Sequence, residues 1–244
     1  MKRILLNIQF LGTNYSGWQI QPKNQTVQQT VQDAILNALN ESVELFSSSR
    51  TDAGVHAYSM PAHFDTSTKI IPTNIYKAIN AYLPSDIKVL SSTEVSKDFH
   101  ARFNVKQKTY EYNFYSSIVP LPLIDATSAR IPTPFDFELA KSACPYFLGK
   151  KDFKAFCSAG NQTSTTIREI KFIDLIKTEQ GYKLIITGDG FLYNMVRIIA
   201  GTLIEIGQGK IDPHAIPNIL ESKDRKNAGK TAEPRGLVLK KVEY

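Results

Sequence analysis

Strand-like and helix-like stretches follow one another along this chain without strict alternation, which favours an α+β fold over a doubly wound parallel sheet. Residues 2–9 read as a strand ending on the turn residues Gly12, Thr13 and Asn14. Thr26 is placed to cap a helix with Gln29 as its capping-box partner, and Val27, Val31, Ile35 and Leu39 follow at intervals of four. Residues 43–47 and 56–64 read as strands around a tight connection, and Pro72 suits the first turn of a helix carrying Ile75, Ile79 and Leu83. Strands are expected near 87–94, 105–115, 167–176, 182–187 and 237–242. Further helices are expected near 136–148, opened by Asp136 and perturbed at Pro145, after Gly188-Asp189-Gly190, and from Pro213. The polar stretch 222–234 reads as a surface loop.

With 244 residues, 42% of them hydrophobic, folding should bury roughly 70–75% of the unfolded surface, so no metal or disulfide is needed to hold a core. Cys144 and Cys157 have no Cys-x-x-Cys spacing, which argues against a disulfide scaffold and a thiolate zinc site. The four histidines lack metal-ligand spacing. The N-terminus has no signal-peptide core, and the longest apolar candidate, 195–206, is interrupted by Arg197, Thr202 and Glu205. These features describe a soluble protein of a reducing cytoplasm. Residues 1–104 carry nine Lys/Arg against eight Asp/Glu, and residues 105–244 carry twenty against fifteen, so the net +6 is biased to the second half. That bias suggests a polyanionic partner, although +6 is modest for a chain of this length.

The most informative segment is Ser49-Arg50-Thr51-Asp52-Ala53-Gly54-Val55-His56-Ala57. It puts a carboxylate in a short strand-to-strand connection beside an arginine and a glycine that permits tight backbone geometry. Taken alone, Thr-Asp-Ala-Gly reads as an ordinary turn. The whole string resembles the catalytic signature of the TruA family of tRNA pseudouridine synthases. The resemblance continues through Gly12-Thr13-Asn14-Tyr15-Ser16-Gly17-Trp18-Gln19, Gln25-Thr26-Val27-Gln28, Phe99-His100-Ala101-Arg102-Phe103, Lys108-Thr109-Tyr110-Glu111-Tyr112, the run from Gly188 to Arg197, and Gly236-Leu237-Val238-Leu239. Ser49 stands where the family usually has glycine, Phe10-Leu11 replaces the common Tyr-Asp, and the connection 116–134 is atypical.

The resemblance implies a pseudouridine synthase α+β fold: two ferredoxin-like or RRM-like halves, 1–104 and 105–244, with mixed, mainly antiparallel sheets around a central active cleft. It implies an isomerase that converts uridine to pseudouridine at positions 38, 39 and 40 of the tRNA anticodon stem-loop, working as a homodimer. The reaction breaks the C1′–N1 bond, rotates the base and joins C1′ to C5. Reactant and product contain the same atoms, so no redox cofactor, nucleotide or metal is expected. One ionised carboxylate is needed, and the resemblance assigns that part to Asp52. A carboxylate in an apolar base pocket needs a cation to stay ionised. Arg197, the only charged side chain between Gly190 and Ile204, on a mostly apolar helix, either snorkels to water or pairs with a buried carboxylate, and the resemblance pairs it with the aspartate.

Tyr110 shares a strand face with Lys106, Lys108, Tyr112 and Phe114 by period-two alternation. An ordinary half-buried strand would show the same pattern, and the resemblance has Tyr110 stack on the target uracil. Arg50 either contacts phosphate only or, as the resemblance implies, fills the space of a flipped base. His56 and His100 read as structural or RNA-contacting, and Asp189 as a turn residue or helix cap. The competing class is a non-catalytic tRNA-binding or folding module, which would tolerate Asp52→Asn. A phosphodiesterase would need a metal cluster or paired histidines that the spacing does not supply.

Overall fold

The computed structural model describes residues 1–160 and 163–244, which fall into two compact units: Met1–Lys106 with Leu239–Tyr244, and Gln107–Val238. The first unit contains β1 (Lys2–Phe10), α1 (Val27–Leu39), β2 (Phe46–Ser47), β3 (His56–Thr66), α2 (Ile75–Asn80) and β4 (Ile87–Val95). Strand β1 is central and antiparallel to both β3 and β4. Ile4, Leu6, Ile8 and Phe10 alternate along it and are buried, the period-two signature of a sheet with one face on a core. The sheet order β4-β1-β3, with β2 antiparallel on the far edge of β3, is that of a ferredoxin-like unit.

Strand β2 is only two residues long, so the strand expected at 43–47 forms at its last two positions. β10 (Leu237–Glu243) also lies beside β3. Residues 239–244, expected with the second half, therefore belong to the first unit. Helix α1 starts at Thr26, whose Oγ1 accepts the Gln29 N–H at 3.4 Å. The Gln29 side chain does not reach back to complete a capping box. It donates instead to Asp33 Oδ1 at 2.7 Å, the neighbour one turn on.

The second unit runs β5 (Gln107–Ser116), α3 (Pro122–Asp125), β6 (Ala129–Ile131), α4 (Phe137–Ser142), β7 (Gly149–Asp152), β8 (Ile167–Thr178), β9 (Gly181–Gly188), α5 (Met195–Gly207) and α6 (Ile216–Ser222). Its strands lie in the order β5-β9-β8-β7 with antiparallel pairing, and β6 runs parallel to β5. The order β5, α4, β8, β9, α5 repeats β1, α1, β2, β3, α2, so the two units share one plan. Asp136 caps α4 by accepting the Leu139 N–H at 3.0 Å, and Pro145 turns the rest of the expected helix into a separate 3-10 turn. Lys106 lies outside β5, and its N–H donates to Glu243 O at 2.8 Å.

Residues 229–232, expected as a surface loop, lie along α5 as a strap. Gly229 N–H donates to Thr202 Oγ1 at 2.9 Å, Lys230 N–H to Glu205 Oε2 at 3.3 Å, and Ala232 N–H to Arg197 O at 3.1 Å. Only a residue without a side chain permits this approach: a Cβ on Gly201 would sit 1.7 Å from Lys230 O.

Candidate active site

Asp52 opens the turn Asp52-Ala53-Gly54-Val55, closed by the Val55 N–H donating to Asp52 O at 3.2 Å. Gly54 has φ of +77°, which the third residue of this kind of turn requires and which glycine adopts without a Cβ clash. Asp52 is half-buried, Thr51 before it is buried, and Arg50 is exposed. Ser49 Oγ and Thr51 Oγ1 are buried hydroxyls with no hydrogen-bond partner among the described residues.

The turn is braced by the N-terminal motif, residues 12–18. Trp18 N–H donates to Thr51 O at 3.0 Å, Gly54 N–H to Tyr15 O at 3.4 Å, and Gly12 N–H to His56 Nδ1 at 2.9 Å. Because Nδ1 accepts, the neutral His56 imidazole carries its proton on Nε2, and the ring is 2% exposed. Two glycines are required by closeness. A Cβ on Gly12 would lie 1.9 Å from Val55 O, and one on Gly17, at φ +88°, 2.6 Å from Thr51 O and 3.1 Å from the Asp52 carbonyl carbon. Trp18 is buried against Phe10, with ring centroids 5.9 Å apart. Tyr15 donates to Asp86 Oδ1 at 2.8 Å, and burial together with that bond raises its pKa, so the phenol stays protonated and keeps donating.

Tyr110 and Arg197 belong to the second unit. Tyr110 pairs with Ile186 across β5 and β9 and is 7% exposed. Phe191 meets its ring edge-on, at 5.2 Å between centroids and 85°. Tyr112 and Phe114 are buried too, and the Tyr112 hydroxyl donates to Glu233 O at 2.9 Å. Glu111, on the opposite face, is also buried and lies 3.2 Å from Lys183 Nζ. The strand is therefore buried on both faces at its centre.

Arg197 sits in the first turn of α5 and is half-buried. Its Nε donates to Ala232 O at 2.8 Å and its Nη1 to Asn194 Oδ1 at 2.9 Å, two bonds that fix the guanidinium plane. Asn194 has φ of +60°, and its Nδ2 donates to Ser158 Oγ at 3.0 Å. Ser158, Asn194 and Ala232 are thus supporting residues that sequence reasoning missed. An asparagine one residue before an apolar helix was the available signal, since asparagine tolerates the left-handed region better than other non-glycine residues. Asp189 is not a helix cap: its Oδ1 accepts the Glu169 N–H at 3.0 Å, tying the end of β9 to β8. No group of three His, Cys, Asp or Glu among the described residues is arranged to hold a metal ion.

The arrangement offers a half-buried carboxylate on a rigid turn in the first unit, and an enclosed tyrosine and a clamped guanidinium in the second. Comparison with known proteins gives this a family. The sequence model of tRNA pseudouridine synthase matches residues 7–104 and 143–244. Over the full length of both chains, the protein is 44% identical to a tRNA pseudouridine synthase A of Caldicellulosiruptor bescii and 45% identical to one of Acetivibrio thermocellus. A tRNA pseudouridine synthase A 2 of Clostridium perfringens is 44% identical, again over both full lengths. Among solved structures, a chain of a Cbf5-Nop10-Gar1 complex matches at 11% identity and a TM-score of 0.35, covering 96% of this chain and 57% of that one. The chain belongs to the tRNA pseudouridine synthase family.

Proposed function

We propose that this protein converts uridine to pseudouridine in tRNA, at positions 38, 39 and 40 of the anticodon stem-loop. Asp52 is the carboxylate that acts as nucleophile or stabilises glycosidic cleavage. The C1′–N1 bond breaks, C1′ joins C5, the C5 proton leaves to solvent and N1 gains one, so no electrons are exchanged. Tyr110 stacks on the target uracil, Arg197 supplies the positive charge that keeps the carboxylate ionised, and Arg50 occupies the space of the extruded base. The enzyme works as a homodimer in the cytoplasm. No described helix is long and apolar enough to cross a membrane.

One observation carries this reading. In a chain of this family, Asp52 sits on a turn held by three hydrogen bonds and two close glycine contacts from a single motif. Positioning to within a fraction of an ångström is what a carboxylate nucleophile needs and what a mere turn-forming aspartate does not. The test compares the protein with Asp52→Asn on unmodified tRNA, mapping pseudouridine by position. The variant should lose turnover and keep tRNA affinity. Undiminished turnover by the variant would refute the assignment of Asp52, and product only outside 38–40 would refute the site. Sedimentation of the free protein at one-chain mass would refute the homodimer.

A further inference from the structure

Residues 97–104 lie in the connection from β4 to β5, a loop anchored from several sides that still exposes an aromatic ring. Arg3, locked onto Asp65 at 2.8 and 2.9 Å, donates from Nη1 to the carbonyls of Lys97 and Phe99. Ala101 is fully buried; its N–H donates to His63 Nδ1 at 3.1 Å and its carbonyl accepts from the Tyr244 hydroxyl at 2.9 Å. Asn104 closes the loop on itself, with Oδ1 accepting the His100 N–H at 2.6 Å and its own N–H donating to His100 O at 3.1 Å.

Phe103, on this rigid base, is 74% exposed. Its ring lies on the His100 imidazole, with centroids 4.2 Å apart and planes 31° from parallel. The Arg102 guanidinium is 5.8 Å from the ring centre. The His100 ring meets the buried His63 edge-on at 4.8 Å and Phe46 at a tilt at 5.5 Å, so it is backed by other rings. Burial lowers the His100 pKa, which favours the neutral imidazole and a flat surface rather than a further local cation. Residues 97–106 hold Lys97, Arg102 and Lys106 against Asp98, a net +2 in ten residues of a chain that carries +6 in 244.

Ordering a loop costs conformational entropy, and here the ordering leaves a large apolar ring in water. That combination is preorganisation for a binding partner. An exposed aromatic with one guanidinium beside it, in a segment of net positive charge, suits a nucleobase stacked on the ring with its phosphates near that charge. Nor is the base in question the reacting uridine. His56, four residues after Asp52, opens β3, and His63 under the platform lies seven residues further along the same strand, at most about 23 Å at 3.3 Å per residue, so the strand sets the platform apart from the Asp52 turn.

We infer that Phe103, backed by His100 and flanked by Arg102, stacks a base of the substrate RNA remote from the target uridine. The inference rests on the substrate being tRNA, and it makes the platform an affinity element separate from the chemistry. Phe103→Ala should raise the KM and Kd for full-length tRNA by about 5- to 100-fold with kcat unchanged, and Phe103→Trp should retain wild-type values. Unchanged KM and Kd in Phe103→Ala would overturn the inference. So would a fall in sedimenting mass, which would assign the ring to a contact between copies of the chain. Failure of the wild-type protein to form pseudouridine would refute the functional reading instead, while the Kd comparison would still decide the platform.

Discussion

Replacing Gly17 by alanine sets a methyl group against the turn that carries Asp52. Two costs can be separated. At φ +88° an L-residue is strained by about 1–2 kcal/mol. The new Cβ also lies 2.6 Å from Thr51 O, where ordinary contact begins near 3.4 Å, so backbone must give by about 0.8 Å. No flexible side chain stands between the two to absorb that movement, and the Trp18–Thr51 hydrogen bond fixes both sides. Together the effects amount to about 2–4 kcal/mol, or a Tm lowered by roughly 4–16 °C for a chain of this size. Moving a catalytic group by about 1 Å costs on the order of 10²-fold in rate. Gly149→Ala is the control, because Gly149 has the same φ of +88° and nothing within 4 Å of an added Cβ. Release of tritium from tRNA labelled at uridine C5 reports turnover directly, since C5 loses its hydrogen in the reaction. Gly17→Ala should lose about 100-fold in kcat and Gly149→Ala should lose stability only. Equal kcat in the two variants would refute the view that residues 12–18 position the carboxylate.

Asn194→Ala removes the Arg197–Asn194 and Asn194–Ser158 bonds and should lower kcat about tenfold while leaving the KM for tRNA unchanged, read in the same assay. Thr202→Val keeps the shape of a fully buried residue but strands the Gly229 N–H, and should cost about 1–3 kcal/mol in urea unfolding. Burial, with His100 and the Arg3 guanidinium close by, lowers the His63 pKa to about 4, so the folded protein holds the neutral ring while the unfolded chain protonates near pH 6.5. Stability should be level above pH 7 and fall by up to about 3 kcal/mol as the pH drops from 6.5 towards 4; unfolding at pH 7.5 and 5 measures it, and His63→Gln should flatten the difference. With a net +6 per chain, tRNA affinity should fall steeply between 50 and 200 mM salt.

Local signals were legible where the deciding interaction lies within about four residues. The Asp136 cap, the break at Pro145 and the alternation in β1 all formed as their residues dictate. Thr26 shows the limit: its own cap formed, but Gln29 had a competing partner in Asp33. The strap along α5 was not legible, because it depends on Gly201 and Thr202 meeting residues almost thirty positions away. The turn at Asp52 could be read from its own letters. That Gly12 and Gly17 serve it by closeness rather than by flexibility could not, since both readings place a glycine in a loop. Asn194 left only the signal of its residue type before an apolar helix, because a backbone angle set by tertiary bonds leaves no periodic trace.

The position of β10 beside β3 bears on how the molecule is made. About 170 residues separate the end of β3 from the start of β10. On a ribosome, α1, α2 and the first four strands can form while the second unit is still being synthesised, leaving most of one edge of β3 without a neighbour. An unpaired edge of that kind templates pairing between nascent chains. Its closure is a long-range contact, the class that forms slowly. Residues 239–244 therefore complete the first unit only when synthesis has passed the whole of the second, and loss of those residues should appear first as aggregation of the N-terminal unit.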